Sequence, residues 1–501
     1  MSVAFNRIPG TLRVPLFYAE VNSGLSYYSG NSKLLLIGQK LSAGTAAADT
    51  PVQCSDPLTQ FGNGSMLYEM ARIARLNAPF ADIWALPLAD PSGVAQIKSI
   101  TVAGTIAPGT LTFYVNGKKH QVAVLATDTM TTIASAIAAS INAGYVGLDG
   151  FGQKHVCSAT ASAGVVTITA SHVGALGSQI AVDKDLVGDE GPLAALLTIA
   201  SGTAGSGIPS LSNGLANCGA TEFDFIAMPY ADTTSLDSLK AFLSDIGGRW
   251  DPNYQMYGHA LAVSFGNLST QTTLGAGRND QHMTVMGVAD SPDPSWRWAA
   301  ALGGQVVLHK NLGADLTQAG EISRPMQTLA LAGIRGPKLK ANQWAPVDRQ
   351  TLYFSGIAGY AVASDGTVVI DRLVTTYRTN AGGQNDTTWL DIETLCQTVY
   401  TVRFLRQQIT QKHPRDALIP DNPNNLQGFT TPGELKADVI HAYSLLCRAG
   451  IAKNLQLFAD SVIVEQAADP NRVNAFIPLD VANQLRVFAA NVTTSLNRAT
   501  V

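Results

Sequence analysis

Two stretches of strand–helix alternation, separated by a long block of different composition, constrain this chain more than any other feature. Lys33 to Gly38 (KLLLIG) is a short apolar run that suits a buried strand. Ser65 is placed to cap a helix running to Leu76, with Leu67, Met70, Ala71 and Ala74 on one face and Asn77 and Pro79 at its end. Asp82 to Leu88 (DIWALPL) predicts the next strand. The same rhythm resumes at Glu222. Strands are expected over Phe223 to Met228, Ala260 to Phe265 and Met283 to Val288. The helices between them are marked by Leu236, Leu239, Leu243 and Ile246, by a stretch near Gln271, and by Ser295 to His309. Alternation of this kind implies a parallel, helix-covered sheet. It assigns residues 25–94 and 207–345 to one discontinuous α/β domain.

The block between them, residues 95–206, is dominated by Thr, Val, Ala, Ile and Gly. Ser99 to Ala103, Thr110 to Val115 and His120 to Leu125 alternate as strands, and Asn116-Gly117 is a hairpin turn signal. Asp128 is expected to cap a helix carrying Ile133, Ile137 and Ile141. Val165 to Ala170 and Gln179 to Val182 read as further strands, and the Gly- and Ser-rich stretch Ser201 to Gly207 closes the block. This reads as an inserted β-rich domain with one helix.

Residues 346–483 read as a C-terminal α+β domain. Tyr360, Val362, Val368 and Ile370 flank Asp365-Gly366 in a predicted hairpin over Gly359 to Arg372. A long helix follows from Asp391 to Lys412, with Ile392, Leu395, Val399, Val402 and Ile409 as its apolar stripe and Pro414 as its stop. Thr431, Pro432 and Glu434 form the capping box of a second helix that ends at Gly450.

Both ends look like arms. In residues 1–24, Thr11 to Val21 is rich in strand formers (Val14, Leu16, Tyr18, Val21) but contains Pro15, which points to an edge or added strand. In residues 484–501, Leu485, Val487, Ala489 and Val492 alternate again, with no hairpin partner nearby. A strand needs its N–H and C=O groups paired, and the edge of a neighbouring subunit's sheet would pair them. Gly24 and Gly30 suit a hinge beside the N-terminal arm. The expected fold class is therefore multidomain α/β and α+β: a helix-covered mixed sheet core, an inserted β-rich domain, and extended N- and C-terminal strand arms.

The chemical inventory points away from catalysis. Gly202, Gly205 and Gly207 do not form GxGxxG, and GxxxxGK[ST] and GxSxG are absent. The eight histidines lack metal spacing. Asp185, Asp189 and Glu190 could approach a cation, but their spacing misses the EF-hand loop. Asp391 and Glu393 read as complements to a helix dipole, as does His413 at the other end of that helix. Cys54, Cys157, Cys218, Cys396 and Cys447 are far apart and odd in number, which suits reduced thiols. No catalytic, cofactor or metal residue is assigned. Charged residues make up only 14% of the chain, against 46% hydrophobic, which favours extensive contact with protein partners. The net charge of −4 and the lack of a basic run disfavour nucleic acid as a partner. No apolar stretch is long enough to span a bilayer, and Met1 to Glu20 lacks the apolar core of a signal peptide.

One set of motifs is specific. Asn279 to Val285 (NDQHMTV) leads to Asp290-Ser291-Pro292; Arg324 to Ile334 reads RPMQTLALAGI; Arg372 to Tyr377 reads RLVTTY. Asp386, Trp389 and Leu390 to Thr394 follow, then Arg403-Phe404-Leu405-Arg406. Together these resemble the contractile tail sheath protein of Mu-type tailed bacteriophages. The resemblance covers nearly the whole chain, is densest over residues 279–415, and is weakest over the insertion, which it implies lies on the outer surface. It implies a structural virion subunit that is assembled in the host cytoplasm and polymerises as stacked, usually hexameric rings around a tail tube. Contraction would drive the tube through the host envelope. Implied partners are further copies of the chain, the tube protein, and baseplate and tail terminator proteins. Arg403, Arg406, Lys412 and Arg415 are candidates to face an acidic tube. Three other readings stay open: the sheath of a phage-tail-like bacteriocin or defective prophage, an α/β enzyme with an inserted lid, and a glycan-binding tail protein.

Overall fold

The computed structural model describes residues 30–494, apart from Asp189 and Asn425. Its centre is a six-stranded sheet in the order Met283–Val288, His259–Phe265, Phe225–Met228, Lys33–Gln39, Asp82–Leu88, Val52–Gln53. The first five are parallel and the last is antiparallel. Leu34 stands beside Phe225 on one side and Ile83 on the other. Leu34, Leu35, Leu36 and Ile37 are fully buried, because a parallel strand covered on both faces has no solvent side. The expected parallel, helix-covered core is present, and each of its five parallel strands begins within two residues of its predicted start; the antiparallel edge strand Val52–Gln53 was not expected.

Helices Met66–Asn77 and Ser295–His309 pack against each other and against this sheet. Ser65 caps the first by accepting from the Tyr68 N–H at 3.0 Å. Two glycines set how closely the second can approach. An ideal Cβ on Gly303 would stand 2.8 Å from the Ala227 Cβ, and one on Gly304 would stand 2.8 Å from the Asn77 Cβ. Any larger residue would push the helix off the sheet or off its neighbour.

Besides a short two-stranded pair, Tyr145–Val146 with Gly152–Gln153, residues 95–206 form two larger antiparallel sheets around helix Met130–Ala143. One orders Leu197–Ser201, Ala95–Val102, Val165–Val173 and Cys157–Ser162; the other orders Val182–Asp183, Gly109–Val115 and Lys118–Val124. Asn116 and Gly117 both adopt positive φ, as a two-residue hairpin turn requires. Two local expectations are corrected here. The helix cap is Thr129, which accepts from the Thr132 N–H; Asp128 instead takes the Leu125 N–H at 2.7 Å. Gln179 ends a 3-10 turn over Ala175–Gln179, and only Val182–Asp183 pairs as strand, because the chain closes on itself through Gly177 N–H to the Gly174 carbonyl.

The insertion is seated on the core through a buried polar cluster. Glu69, on the first core helix, accepts from the Trp296 Nε1–H at 2.7 Å and from the Tyr145 hydroxyl at 2.6 Å. Arg297 pairs with Asp293, lies 3.6 Å from Glu69, and donates to the Asn116 and Gly333 carbonyls. Arg297, Asp293 and Glu69 are 1%, 2% and 4% exposed, so this pairing occurs away from water. Tyr145 and Asn116 belong to the insertion, and the rest of the cluster belongs to the core.

In the C-terminal part, Gly359–Val362 and Thr367–Arg372 form the predicted hairpin and extend to Ala330–Arg335. Helices Ile392–Lys412 and Pro432–Arg448 pack together. The second is capped as expected, with Thr431 accepting from the Glu434 N–H at 3.1 Å and Glu434 accepting from the Thr431 N–H at 2.8 Å. Two apolar positions and the last described segment depart from expectation. Val402 is 38% exposed, so the stripe on the long helix is narrower than predicted. Ile246 lies beyond a helix that spans Thr233–Phe242 and is 88% exposed, because the Asp251 carboxylate takes the Gly247 N–H and turns the chain. Gln484 onward was expected to be a strand, yet residues 484–494 carry no strand and make no ladder.

Candidate intersubunit strand-pairing site

A two-stranded sheet lies shortly before the C-terminal arm in the chain. Ile463–Gln466 and Val473–Phe476 form an antiparallel hairpin in register Ile463 to Phe476 and Gln466 to Val473. It belongs to a sheet of two strands only, so both outer edges lack a ladder partner among the described residues. A hairpin alone is marginal in water, and a third strand or a packing surface is needed to hold it. Here it leans on helix Pro432–Arg448, with Val462 buried at its base. Its faces remain open: Ile463 is 52% and Phe476 60% exposed. Unpaired edges with apolar side chains are what proteins normally blunt.

This hairpin escaped the sequence reading. The signal was present as Ile463-Val464 and Val473 flanking Asp469-Pro470-Asn471, a turn composition with a mechanism. In the structure Gln466 Nε2 donates to the Pro470 carbonyl at 2.7 Å and closes the tip.

The chain then returns along 480–482, where the Lys453 N–H reaches the Asp480 carbonyl and the Ala482 N–H reaches the Ile451 carbonyl. Gln484 donates to Ser323 and Gln397, and Arg486 enters between Asp391 and Glu393 at 3.2 and 2.8 Å. Gln327 Nε2 donates to the Leu485 carbonyl at 3.4 Å, and the arm's apolar side chains are open: Leu485, Val487, Phe488 and Val492 are 71–86% exposed, and Ala489 is exposed too. Val14, Leu16, Tyr18, Val21 and Gly24 lie outside the described residues.

The four candidate tube-facing cations are not equivalent. Arg403 lies 2.7 Å from Glu222 and 2.6 Å from Asp224, and Lys412 pairs with Asp438. Both are thus committed to carboxylates of their own chain. Burial would lower the Arg403 pKa, but Asp224 and Glu222 outweigh it and raise it. Arg406 sits over the Tyr257 ring at 6.0 Å, and both it and Arg415 are exposed.

Among the described residues, no group of three or more His, Cys, Asp or Glu side chains is arranged to hold a metal ion. Asp185 pairs with Lys338 at 2.9 Å, and Glu190 accepts the Val187 N–H. The four most buried cysteines are inert: burial raises Cys54, Cys157 and Cys396 to about 12 and Cys218 to about 11. Among the described residues, no helix is long and apolar enough to cross a membrane.

Comparison with known proteins places this geometry in a family. The model of the phage tail sheath protein central domain matches residues 204–376. The Mu-like prophage FluMu tail sheath protein of Haemophilus influenzae is 30% identical over 501 residues, covering 98% of this chain and 99% of that protein. Among solved structures, the sheath tail protein of Desulfitobacterium hafniense aligns at 12% identity and a TM-score of 0.45, over 93% of this chain and 100% of that one. The sheath tail protein of Listeria innocua aligns at 10% identity and 0.45, over 91% and 93%. A chain of the anti-feeding prophage baseplate aligns at 10% identity and 0.46, over 97% and 100%. With nearly a third of its residues shared along the full length of a tail sheath protein, the chain belongs to the phage tail sheath protein family.

Proposed function

We propose that this chain is the repeating subunit of a contractile sheath, stacked as hexameric rings in a helix around a tail tube and seated on a baseplate. The unpaired hairpin Ile463–Phe476 is the observation that carries this reading. It offers two strand edges, and the arm beyond Arg486 offers a strand-forming sequence with no ladder partner among the described residues. Adding the arm of one subunit to the hairpin of the next satisfies both. The link is head-to-tail, so repetition gives an open helical array rather than a closed dimer.

Backbone pairing of this kind keeps its register while the bodies rotate, so neighbours stay tethered as the array shortens and widens. The drive for contraction is stored in the extended polymer. Two packings of one sequence differ by on the order of a few kcal/mol, and many subunits releasing that together push the tube through the host envelope for genome delivery. The exposed Arg406 and Arg415 are the cations left to meet an acidic tube surface. The relative's prophage origin supports a second reading, in which the same sheath belongs to a prophage-derived particle; capsid genes beside this one would decide between them.

Removing Val487 to Val501 tests the proposal. The truncated chain is expected to fold with the thermal stability of the full chain and to form no tubes in electron microscopy. Normal tubes from the truncated chain would overturn it.

A further inference from the structure

Thr328 is the one β-branched residue among the described residues that adopts a left-handed φ, at +69°. The other five non-glycine positions of this kind carry Asp, Asn, Ala or Gln. A branched Cβ fits this region worst, whereas Gly and Asn enter it readily. Packing does not call for the branch. Thr328 is exposed, and its hydroxyl donates only next door, to the Gln327 carbonyl at 2.6 Å.

Fixed neighbours impose the conformation. Met326 to Leu329 is a four-residue turn, closed by the Leu329 N–H on the Met326 carbonyl at 3.5 Å. Thr328 stands third in it, where a positive φ is ordinarily supplied by Gly or Asn. On one side the Met326 N–H donates to Glu393 at 2.9 Å, and both residues are fully buried. On the other, the Thr328 N–H donates to the Ile370 carbonyl at 2.8 Å, and the Ile370 N–H to the Leu329 carbonyl at 2.9 Å. The same turn touches the root of the C-terminal arm. Gln327 Nε2 reaches the Leu485 carbonyl, and the Glu393 that accepts from Met326 also holds Arg486.

We propose that the Met326–Leu329 turn is a strained catch on the arm: the seated root holds Thr328 left-handed, and the strain at Thr328 biases the root toward release. A strained residue persists only where its surroundings over-determine it. Withdrawal of the root removes the Gln327 contact and the Arg486 cation on Glu393, so the first half of the turn loosens. Thr328 can then return to the regions open to a branched residue. Strain and arm contacts therefore oppose each other directly. In the sheath reading above, a root that lets go readily allows the arm to change direction as the body rotates. The catch itself belongs to the single chain and stands or falls there, whether or not strands are exchanged between subunits.

Trypsin reports release, because Arg486 is 13% exposed in its ion pair and has to leave it to be cut. On the unassembled full chain, Thr328→Gly and Thr328→Asn are expected to slow cleavage after Arg486 about tenfold, with cleavage at the exposed Arg415 unchanged. Asn is the stricter variant, since Gly also adds freedom to the released state. Thr328→Val keeps the branch and should be cut at least as fast as wild type. Wild-type or faster cleavage at Arg486 in the Asn variant would overturn the proposal. Hydrogen exchange gives a second reading. The Met326 amide, whose hydrogen lies on Glu393, should exchange more slowly in the Asn variant by a similar factor. An unchanged rate there would break the link between turn and arm and overturn the proposal as well.

Discussion

The Arg486 guanidinium lies 2.8 Å from the Glu393 carboxylate, so the C-terminal arm leaves the body through a buried ion pair. Glu393 has no exposed side-chain surface and Arg486 only 13%. Glu393 also accepts the Met326 N–H at 2.9 Å, and Asp391 bridges Arg486 to Arg372. Arg486→Ala would leave Glu393 buried without this cation. Breaking a buried pair on one side costs about 3–5 kcal/mol, and the residual exposure of Arg486 brings the expected loss to roughly 2–4 kcal/mol. Thermal unfolding of the unassembled chain measures it. Arg486→Lys keeps the charge but cannot bridge both carboxylates, so an intermediate loss is expected; equal losses for the two variants would show that packing and not charge holds the arm.

Ile463 and Phe476 stand opposite each other with more than half their surface open. If they receive a neighbour's arm, replacing both with Lys places two like charges on the pairing face. The isolated chain should lose no more than about 0.5 kcal/mol, as exposed positions normally do. Assembly should fail, because inserting a strand would bury both charges without partners. Sedimentation of the variant reads the outcome, and polymer of wild-type size would refute the pairing site.

Arg297→Leu is expected to cost about 3–5 kcal/mol, because Asp293 and Glu69 stay buried after their shared cation is gone. The damage should concentrate where the insertion meets the core, since Arg297 also donates to the Asn116 carbonyl. Limited proteolysis should then cut first near residues 92–95 and 203–207, the two crossings between core and insertion. Cuts spread evenly over the chain would mean that the cluster stabilises the core and not the docking.

The central sheet and its helices were legible because each element carries its own signal. Lys33 to Gly38 has no polar side and can only be a doubly covered strand, while Ser65 and Thr431 announce their helices through caps that the structure contains. Failures came where a decision rests on contacts remote in sequence. Nothing near Arg297 reveals that Glu69, 228 positions earlier, stands 3.6 Å away. Arg403 reads as a surface cation on a helix, but Glu222 and Asp224 arrive from another part of the chain and claim it. Alternation in Leu485 to Val492 gives a capacity to pair, but pairing needs a partner strand that the alternation cannot name, and residues 484–494 form no ladder among the described residues. Family membership was legible for a different reason: its motifs lie mainly in residues 279–415, and much of that stretch is core or helix.

His413 closes the long helix between two carboxylates, with Nδ1 2.8 Å from Asp416 and Nε2 2.7 Å from Asp438. Burial alone would lower its pKa, but hydrogen bonds and charge from Asp416 and Asp438 outweigh that and hold it above the ordinary 6.5. A raised folded-state pKa means that the protonated imidazole stabilises the fold. That contribution is fully present below the unfolded value and is lost as pH rises through the folded one. Lys412 also pairs with Asp438, so it softens the loss without reversing it. Stability of the helix pair Ile392–Lys412 and Pro432–Arg448 should therefore decline as pH climbs above about 6.5. His413→Asn should remove that decline and lower stability mainly on the acid side. Thermal unfolding of both proteins from pH 5.5 to 9 checks this; parallel profiles would show that another group governs the dependence.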